Sequence, residues 1–348
     1  MIAYVLYWNE FNGSGVWAKV VAQVEAWSKM GETVEMHVLT SSDETISMPK
    51  DVALVQYSFH GLLGRISAWS RLANNVRKSA PTCVYFRYDV PSIAVLRLAK
   101  ELSVVVEINT NDTAEFQRPL IKVLLNRVGR RILFKRIAGI VLVSHELKKM
   151  LPSSTFSKPV ITIANAIDLE RFTAKPPSEN TRPAFLFVAS QNHSWQGIDK
   201  VIQLAQYLPH STFHIVGGIQ VSPITHNTVQ HGKLTSDQIG ELATTCDIGI
   251  GTLALHRKGG SEACPLKVRE YLALGLPTII AYHDTDFPTP EDFILEIPNT
   301  EDCIEAALPQ ITAFANKWVG QRLPREKIVR IGSESKEALR LNFLKSVS

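Results

Sequence analysis

Short β-type segments alternate with helical segments along the whole chain, and this alternation restricts the fold more than any other feature of the sequence. Several β-type segments are apolar at successive positions, as in residues 103–108 with the sequence SVVVEI. Strands that are apolar on both faces are typical of a parallel sheet that helices cover on each side. The alternation therefore predicts an α/β fold built from strand–helix–strand units.

The predicted strands fall into two series, one in each half of the chain. They lie near residues 2–8, 33–40, 52–57, 82–88, 103–109, 139–144 and 160–164, and then 184–190, 212–217, 228–232, 247–253, 277–282 and 293–297. The predicted helices of the first half lie near 15–30, 65–79, 92–101, 117–136 and 145–151. Between the two series, residues 173–183 form a polar, Pro-rich connector.

We therefore expect two Rossmann-like domains, residues 1–165 and 166–332, that face each other across a cleft. A last helix at 333–346 has an apolar side that needs a surface to cover. It is expected to cross back and pack on the N-terminal domain. Ligands are expected at the carboxyl ends of the strands.

Composition and cysteine usage exclude several classes of protein. Of the 348 residues, 45% are hydrophobic and 20% are charged, which is typical of a folded enzyme. No segment reaches the ~18 consecutive apolar residues of a spanning helix, and the N-terminal residues lack the pattern of a signal peptide. The four cysteines are scattered without CxxC pairs, which indicates a reducing compartment and argues against structural zinc. We expect a cytoplasmic protein.

The net charge of +4 is unevenly distributed along the chain. Residues 1–164 contain 20 Lys and Arg against 13 Asp and Glu, whereas residues 165–348 contain 17 against 20. The positive surplus of the first half is too diffuse for a DNA-binding stripe. It suits an anionic substrate or an anionic membrane surface.

The segment from Gly13 to Ala18 follows the first predicted strand and matches the pattern G-x-G-x-x-A. Glycines in this pattern let backbone N–H groups approach a phosphate at a helix N-terminus, so Gly15 is a candidate phosphate contact. A tight strand-to-helix turn explains the same glycines equally well. A dinucleotide site would also need an acid at the end of the second strand, and Asp43 lies too far along for that role.

The most informative segment is residues 262–277, with the sequence EACPLKVREYLALGLP. Pro265 suits the first turn of a helix, and Gly275 suits its C-terminal cap. Free backbone N–H groups near Pro265 and Leu266 are expected to point towards a ligand, with Lys267 supplying a positive charge beside them. The segment therefore predicts a diphosphate site.

Glu262 lies just before this helix and Glu270 lies inside it, so one carboxylate can face a sugar and the other a ribose. With this E-x7-E pattern, followed by Y-L-A-x-G-x-P, the chain resembles the retaining GT-B glycosyltransferases of the family 4 type. The resemblance extends over nearly the whole chain. Its other matching segments are residues 14–31, 140–144, 163–172, 195–199 and 215–218.

The resemblance implies roles for the matching positions of the C-terminal domain. Glu262 would contact the donor sugar and act in catalysis, and Glu270 would bind the ribose hydroxyls. The other donor-side positions, which the family uses mainly through backbone atoms, are Pro265, Leu266, Gly217, Gly232 and Leu234. The chain departs from the family pattern at Gln196, which stands where the family has a Lys that grips the diphosphate. The nearest substitutes are Lys258 and Lys267.

Three residues at strand ends are candidates in the N-terminal domain. Where many relatives place a His, this chain has Glu107-Ile-Asn109. Glu107 is a candidate catalytic residue, although a solvated loop acid would look the same. Arg87 and Asn109 are candidates for the acceptor side, and the alternative for Arg87 is a simple ion pair with Asp89.

Two acids and one basic segment suggest other ligands. Asp284 and Asp286 have the D-x-D form of a metal site, but they follow a strand where a polar loop is expected, and we predict no metal and no other cofactor. Residues 118–136 contain seven basic residues and no acid. The apolar residues expected to face the core are Ile121, Leu124, Leu125, Val128 and Ile132, whereas Leu120, Val123 and Phe134 lie among the basic ones. Because apolar residues on a cationic face are typical of interfacial helices, we favour contact with an anionic membrane over a merely solvated helix.

Together these patterns predict a retaining, metal-independent glycosyltransferase that binds a nucleotide-sugar donor in the C-terminal domain. The acceptor, a saccharide or a polyprenol- or lipid-linked molecule, would bind in the N-terminal domain. The resemblance associates such enzymes with bacterial surface polysaccharide or glycolipid biosynthesis, at the inner face of the plasma membrane. No nucleic-acid partner is expected. Two alternatives stay open: an NAD(P)-dependent two-domain oxidoreductase, and a non-catalytic nucleotide-sugar-binding partner of a transferase.

Overall fold

The protein divides into two compact units, and each is built around a parallel sheet. The first unit contains Met1–Ala164 together with Ser333–Ser348, and the second contains Asn165–Gly332. The computed structural model describes residues 1–11, 14–46, 48–111, 120–155, 157–189, 191–219 and 225–348. The expected domain boundary, after residue 165, lies one residue from this division.

The strands and helices are numbered in chain order. The strands are β1 Ile2–Tyr7, β2 Val34–Thr40, β3 Ala53–Ser58, β4 Cys83–Arg87, β5 Val104–Ile108, β6 Gly139–Leu142, β7 Val160–Thr162, β8 Ala184–Val188, β9 Thr212–Val216, β10 Thr228–Gln230, β11 Ile248–Ile250, β12 Glu262–Ala263, β13 Thr278–Ile280, β14 His283–Asp284 and β15 Ile294–Glu296. The α-helices are α1 Gly15–Lys29, α2 Gly61–Ser79, α3 Ile93–Glu101, α4 Leu120–Arg136, α5 Ile198–Tyr207, α6 Ser236–Leu242, α7 Leu266–Ala273, α8 Cys303–Trp318 and α9 Ser333–Val347.

Both main sheets have the strand order of a doubly wound fold. In the first unit the order is β3-β2-β1-β4-β5-β6-β7, and in the second it is β10-β9-β8-β11-β13-β15. The strand pairs within each sheet are parallel. Each sheet thus reverses its direction of growth once, between β1 and β4 or between β8 and β11. The prediction of an α/β fold with two Rossmann-like domains is confirmed.

Every predicted strand is present, and most are shorter than predicted. Missed were β12 and β14, which pair with each other and hold two residues each. The helix predicted at 145–151 is instead a 3₁₀ helix, Glu146–Met150. Leu151 is extended there because the following Pro152 disfavours a helical conformation for the residue before it.

The C-terminal helix α9 belongs to the first unit, as expected, and packs against α1. Leu341 and Leu344 are buried in the core of this unit. A polar contact accompanies them: the Trp27 indole donates to Glu337 Oε2 at 2.9 Å. Helix α9 therefore contributes part of the hydrophobic core of the first unit.

The orientation predicted for the basic helix, α4, is wrong. The side chains of Leu124 and Val128 are 61% and 50% exposed, not buried, while Leu133 and Phe134 are fully buried. The helix instead turns inward the face that holds residues 126, 130, 133 and 134. On this face Arg130 donates to the carbonyl of Met150 at 3.1 Å. The side chains of residues 120–122 and 125, and residues 118 and 119, lie outside the described part of the chain. No helix in that described part is both long and apolar enough to cross a bilayer.

Candidate functional site

In the second unit, the reversal between β8 and β11 brings several loop backbones together at the carboxyl ends of the strands. Ligands of doubly wound sheets bind at such reversals. Gly217, directly after β9, has φ +131°, and a Cβ there would lie 1.7 Å from the carbonyl oxygen of Ala189. Only glycine fits this approach. Its N–H donates to the carbonyl of Gly232 at 2.6 Å, so the predicted donor-side glycines meet at this edge, whereas Leu234 packs against the core.

The segment with the two glutamates forms a strand, a turn and a helix, and Asn165 holds its turn. The Asn165 side chain donates to the carbonyl of Cys264 at 2.9 Å, and its backbone N–H approaches the Cys264 sulfur at 3.3 Å. Pro265 then precedes α7 with an extended backbone. Because the first N–H groups of a helix have no partner within it, those of Leu266 and Lys267 are available to an anion.

The resemblance places a diphosphate-binding Lys where this chain has Gln196, and Lys267 brings a positive charge to that point. Its Nζ donates to Gln196 Oε1 at 3.1 Å and lies 4.3 Å from the centre of the Phe187 ring. Burial lowers the pKa of Lys267 to about 7. The chain thus places an ammonium group, carried by α7, against the glutamine that replaces the family's lysine.

The two glutamates differ in position and surroundings. Glu262 lies on β12, opposite His283 of β14. Glu270 lies in the second turn of α7, where burial raises the pKa of its carboxyl to about 7 and the Arg171 charge opposes this rise. A half-buried carboxyl of this kind gains from hydrogen-bond donors such as hydroxyl groups. That Glu262 and Glu270 contact the nucleotide-sugar donor stays a prediction.

Lys258 is held on an aromatic surface beside the same unit's sheet. Its Nζ lies 4.4 Å from the centre of the Trp195 ring, and the His193 ring stacks on Trp195 at 5.5 Å. The turn that carries Lys258 is fixed by Arg257, which makes a bidentate pair with Asp199 at 2.9 and 2.7 Å. These contacts hold Lys258 in place. That it binds a phosphate of the donor stays a prediction.

The D-x-D acids have a protein partner. Asp284 accepts two hydrogen bonds from the fully buried guanidinium of Arg269, both at 2.7 Å, and Asp286 accepts a third at 2.8 Å. Arg269 lies in α7 and Asp284 in β14, and the contacts with Arg269 give both acids a structural role. Among the described residues, no group of His, Cys, Asp and Glu has the arrangement of a metal site. The four cysteines are buried, and none of them forms a disulfide.

The first unit has a cavity of about 430 Å³ where its strand order reverses. Its walls come from the ends of β1, β4 and β5 and the loops after them. The lining includes Tyr7, Trp8, Asn9, Glu10, Val16, Arg87, Tyr88, Asp89, Ile108, Asn109 and Thr110. Two predicted acceptor-side residues, Arg87 and Asn109, thus share one cavity.

Glu107 lies beneath this cavity in a cluster of buried charges. Lys19 donates to Glu107 Oε1 at 3.1 Å, Arg87 to Oε2 at 3.5 Å, and Arg340 lies 3.9 Å away. Burial alone would raise the pKa of Glu107, but these three cations lower it to about 2. A carboxylate with such a pKa is a poor proton acceptor at neutral pH, so the geometry favours a role through its cationic partners.

Sequence analysis missed Lys19 and Arg340. Both had a detectable signal, because each stands on the apolar side of its helix, Lys19 with Val20 and Arg340 with Leu341. At the start of α1, Ser14 accepts from the backbone N–H of Trp17 at 3.3 Å, so this end is capped by its own side chain. Gly15 opens α1 and remains a candidate phosphate contact, and Gly13 lies outside the described residues.

No protein-family model matches the chain, and no curated protein matches it in sequence. Solved structures match it over almost its whole length. Sucrose-phosphate synthase from Thermosynechococcus elongatus has a TM-score of 0.72 at 12% identity, covering 99% of this chain and 98% of its own. HepE of Anabaena, solved with UDP and glucose, has a TM-score of 0.67 at 13% identity, covering 99% and 100%. WaaB, a lipopolysaccharide outer core galactosyltransferase, has a TM-score of 0.66 at 12% identity, covering 99% of each. The chain therefore has the GT-B fold.

Proposed function

We propose that the protein is a retaining glycosyltransferase that moves a sugar from a nucleotide-sugar donor to an acceptor hydroxyl. The observation that carries the proposal is the start of α7, where free backbone N–H groups, the Lys267 ammonium and two glutamates lie within nine residues at the carboxyl edge of the sheet. The fold agrees with this, because similar structures include sugar transferases and a complex with UDP and glucose. The second unit would bind the donor and the first unit the acceptor.

The chemistry would depend mainly on stabilising the departing diphosphate. As the bond between sugar and phosphate breaks, negative charge develops on the leaving oxygen. The N–H groups of α7 and the Lys267 charge would stabilise it there. Glu262 would face the sugar as it separates, and Glu270 would bind the ribose. The acceptor hydroxyl would attack from the face that the nucleotide leaves and give its proton to the leaving phosphate oxygen, which preserves the anomeric configuration. No metal takes part in this proposal.

The first test is nucleotide binding. We expect one of UDP, GDP, ADP, CMP and dTDP to raise the melting temperature by mass action, while NADH does not. Glu270→Gln should weaken binding of that nucleotide about fivefold, because it replaces a charge-assisted hydrogen bond to ribose with a neutral one. The 2′-deoxy analogue provides a matched control: it should bind the wild type more weakly than the ribonucleotide does, and this difference should shrink in Glu270→Gln.

Glu262→Gln separates catalysis from binding in the same assay. The variant should bind the free nucleoside diphosphate normally, since that ligand has no sugar, but transfer should slow. Product NMR on the wild type should show retained anomeric configuration. A stabilising response to NADH but to no nucleotide, or an inverted product, would contradict the proposal.

We further propose that the acceptor is a saccharide or a lipid-linked molecule reached at an anionic membrane. The exposed face of α4 combines apolar Leu124 and Val128 with the cations Arg127, Arg131 and Lys135. Helix α4 also packs on α3, where a Cβ at Gly129 would lie 3.3 Å from Pro91, and Ile93, at the start of α3, is 72% exposed. Apolar side chains among cations are the composition of an interfacial surface.

Vesicle binding tests this membrane contact. The protein should sediment with vesicles of phosphatidylglycerol and phosphatidylcholine, and less so at high salt because surface charges are screened. Changing Arg127 and Arg131 together to Gln should weaken vesicle binding up to about thirtyfold, because each cation near the surface contributes about 1 kcal/mol. Arg130→Gln removes a buried charge from the same helix and should leave the surface attraction in place. Equal sedimentation with purely zwitterionic vesicles would contradict an anionic surface.

A further inference from the structure

The cavity of the first unit has an uneven charge balance beneath it. Within the described residues, Lys19, Arg87 and Arg340 surround the Glu107 carboxylate, and Glu337 is the second acid of this cluster through its contact with Arg340. Three cations against two carboxylates leave one positive charge unmatched. Taking an unpaired cation out of water is costly, so this surplus needs a partner.

The surplus belongs to Arg87. Lys19 is committed to Glu107 and also donates to Asn109 Oδ1 at 3.2 Å. Arg340 is fully buried and bound to Glu337. Arg87 has its contact with Glu107 at 3.5 Å, the longest of the hydrogen bonds in the cluster, and its side chain is 14% exposed at the cavity wall.

The acids of the cavity lining do not neutralise Arg87. Asp89, the neighbour that the sequence suggested as its partner, pairs with Arg65 at 2.6 Å. Glu10 is exposed to solvent, where its charge is screened. The guanidinium group of Arg87 therefore keeps donors for a ligand, and a guanidinium binds planar oxygen anions in a bidentate manner.

An aromatic wall stands beside this cation. The Trp8 ring lies in the lining, and the Arg87 guanidinium is 5.8 Å from its centre. The amide of Asn109 adds a polar group that can meet hydroxyls. An apolar ring face with polar groups around it suits a sugar ring, and the cavity volume lies within the range of small-molecule sites.

From these contacts we infer that the acceptor is an anionic saccharide, which places a carboxylate or phosphate group on Arg87 and a sugar ring on Trp8. This inference rests on the proposed function, because it assigns the acceptor of that transfer. Glu107 then acts as a positioning residue: it holds Lys19 and orients Arg87 from below. A neutral acceptor would leave the Arg87 charge unmatched.

Saturation-transfer NMR on the full chain tests the inference with simple probes. Glucuronate, glucose 6-phosphate and glucose are compared, with and without the nucleotide that stabilises the protein. We expect at least one anionic sugar to bind about tenfold more tightly than glucose, the effect of one charge-assisted contact. Preference for glucuronate identifies a carboxylate, and preference for glucose 6-phosphate identifies a phosphate.

Variants locate the effect. Arg87→Gln should abolish the preference, Arg87→Lys should keep part of it, and Arg71→Gln, which changes an exposed arginine of α2, should leave it intact. Trp8→Leu should weaken all three sugars while nucleotide binding, measured in the same samples, stays unchanged. Equal or undetectable signals from the three sugars would overturn the inference. If a nucleotide still stabilises the protein in those samples, only the inference about the acceptor fails; if no nucleotide does, the proposed function fails and the inference fails with it.

Discussion

Replacing Lys267 with Ala should lower turnover of the nucleotide-sugar donor by more than ~10-fold, because a charge-assisted contact to the leaving diphosphate is worth ~1.5–3 kcal/mol. The expectation follows from the place of its Nζ, 3.1 Å from Gln196 Oε1 at the start of α7. The measurement is the rate of nucleoside diphosphate release from the donor that the nucleotide screen identifies. Lys258→Ala provides a comparison, because that lysine rests on Trp195.

A second substitution makes this prediction specific to charge. Gln196→Lys in the Lys267→Ala background puts an ammonium group back near the same point, from the other side of the contact. We expect it to recover most of the lost rate. An unchanged rate in Lys267→Ala, or a loss that Gln196→Lys cannot restore, would show that the helix N–H groups suffice or that Lys267 acts in another way.

The pH dependence of binding gives an independent measure. Burial lowers the pKa of Lys267 to about 7, and a bound diphosphate would favour the protonated form. As pH rises above about 7, binding must take up a proton, and affinity should fall up to tenfold per pH unit. Lys267→Ala should remove this dependence. Calorimetry in buffers of different ionisation enthalpy would measure the proton uptake directly.

The buried pair of Arg269 and Asp284 leads to the largest expected effect on stability. Asp284→Ala leaves a fully buried guanidinium without its bidentate partner, and breaking such a pair costs about 3–5 kcal/mol. For a unit of this size the melting temperature should fall by about 10 °C. Differential scanning fluorimetry measures the change, and Asp284→Asn provides a milder variant that keeps the volume.

The matched control is Asp292→Ala, which removes the half-exposed partner of Lys327 and Lys317. Exposed pairs contribute about 0–1 kcal/mol, so its melting temperature should barely change. A chelator should leave both the wild type and Asp292→Ala unaffected. If the chelator instead lowers the wild-type melting temperature, the protein holds a structural metal that the D-x-D acids could bind. If Asp284→Ala is as stable as the control, the pair with Arg269 does not stabilise this unit.

Local sequence patterns were sufficient to predict the strands of both sheets and the segment at residues 262–277. Strand positions follow from short apolar runs because a doubly covered parallel sheet accepts little else. The turn before α7 also follows from the sequence, since Pro265 and Gly275 suit the two ends of a helix and act within a few residues. Gly275 has φ +87°, the left-handed conformation that such a cap uses.

The orientation of α4 and the charge cluster of the first unit could not be derived in this way. In α4, apolar and basic residues occur on every side, so periodicity does not show which face packs inward. The Glu107 cluster joins β4, β5, α1 and α9, and its Lys19–Glu107 contact spans 88 positions. Burial of a Lys is tolerated only when an acid pairs with it. The tertiary structure decides which acid does so, so the sequence alone does not predict that Lys19 is buried.

The return of α9 to the first unit has a consequence for how the chain folds during synthesis. The contact between Trp27 and Glu337 joins residues 310 positions apart, so the first unit to emerge from the ribosome is the last to be completed. The second unit, continuous from 165 to 332, can fold while α1 still exposes the surface that α9 will cover. Contacts of such long range close slowly. We therefore expect the N-terminal unit to stay incompletely folded until α9 has been synthesised, although its first residues emerge first.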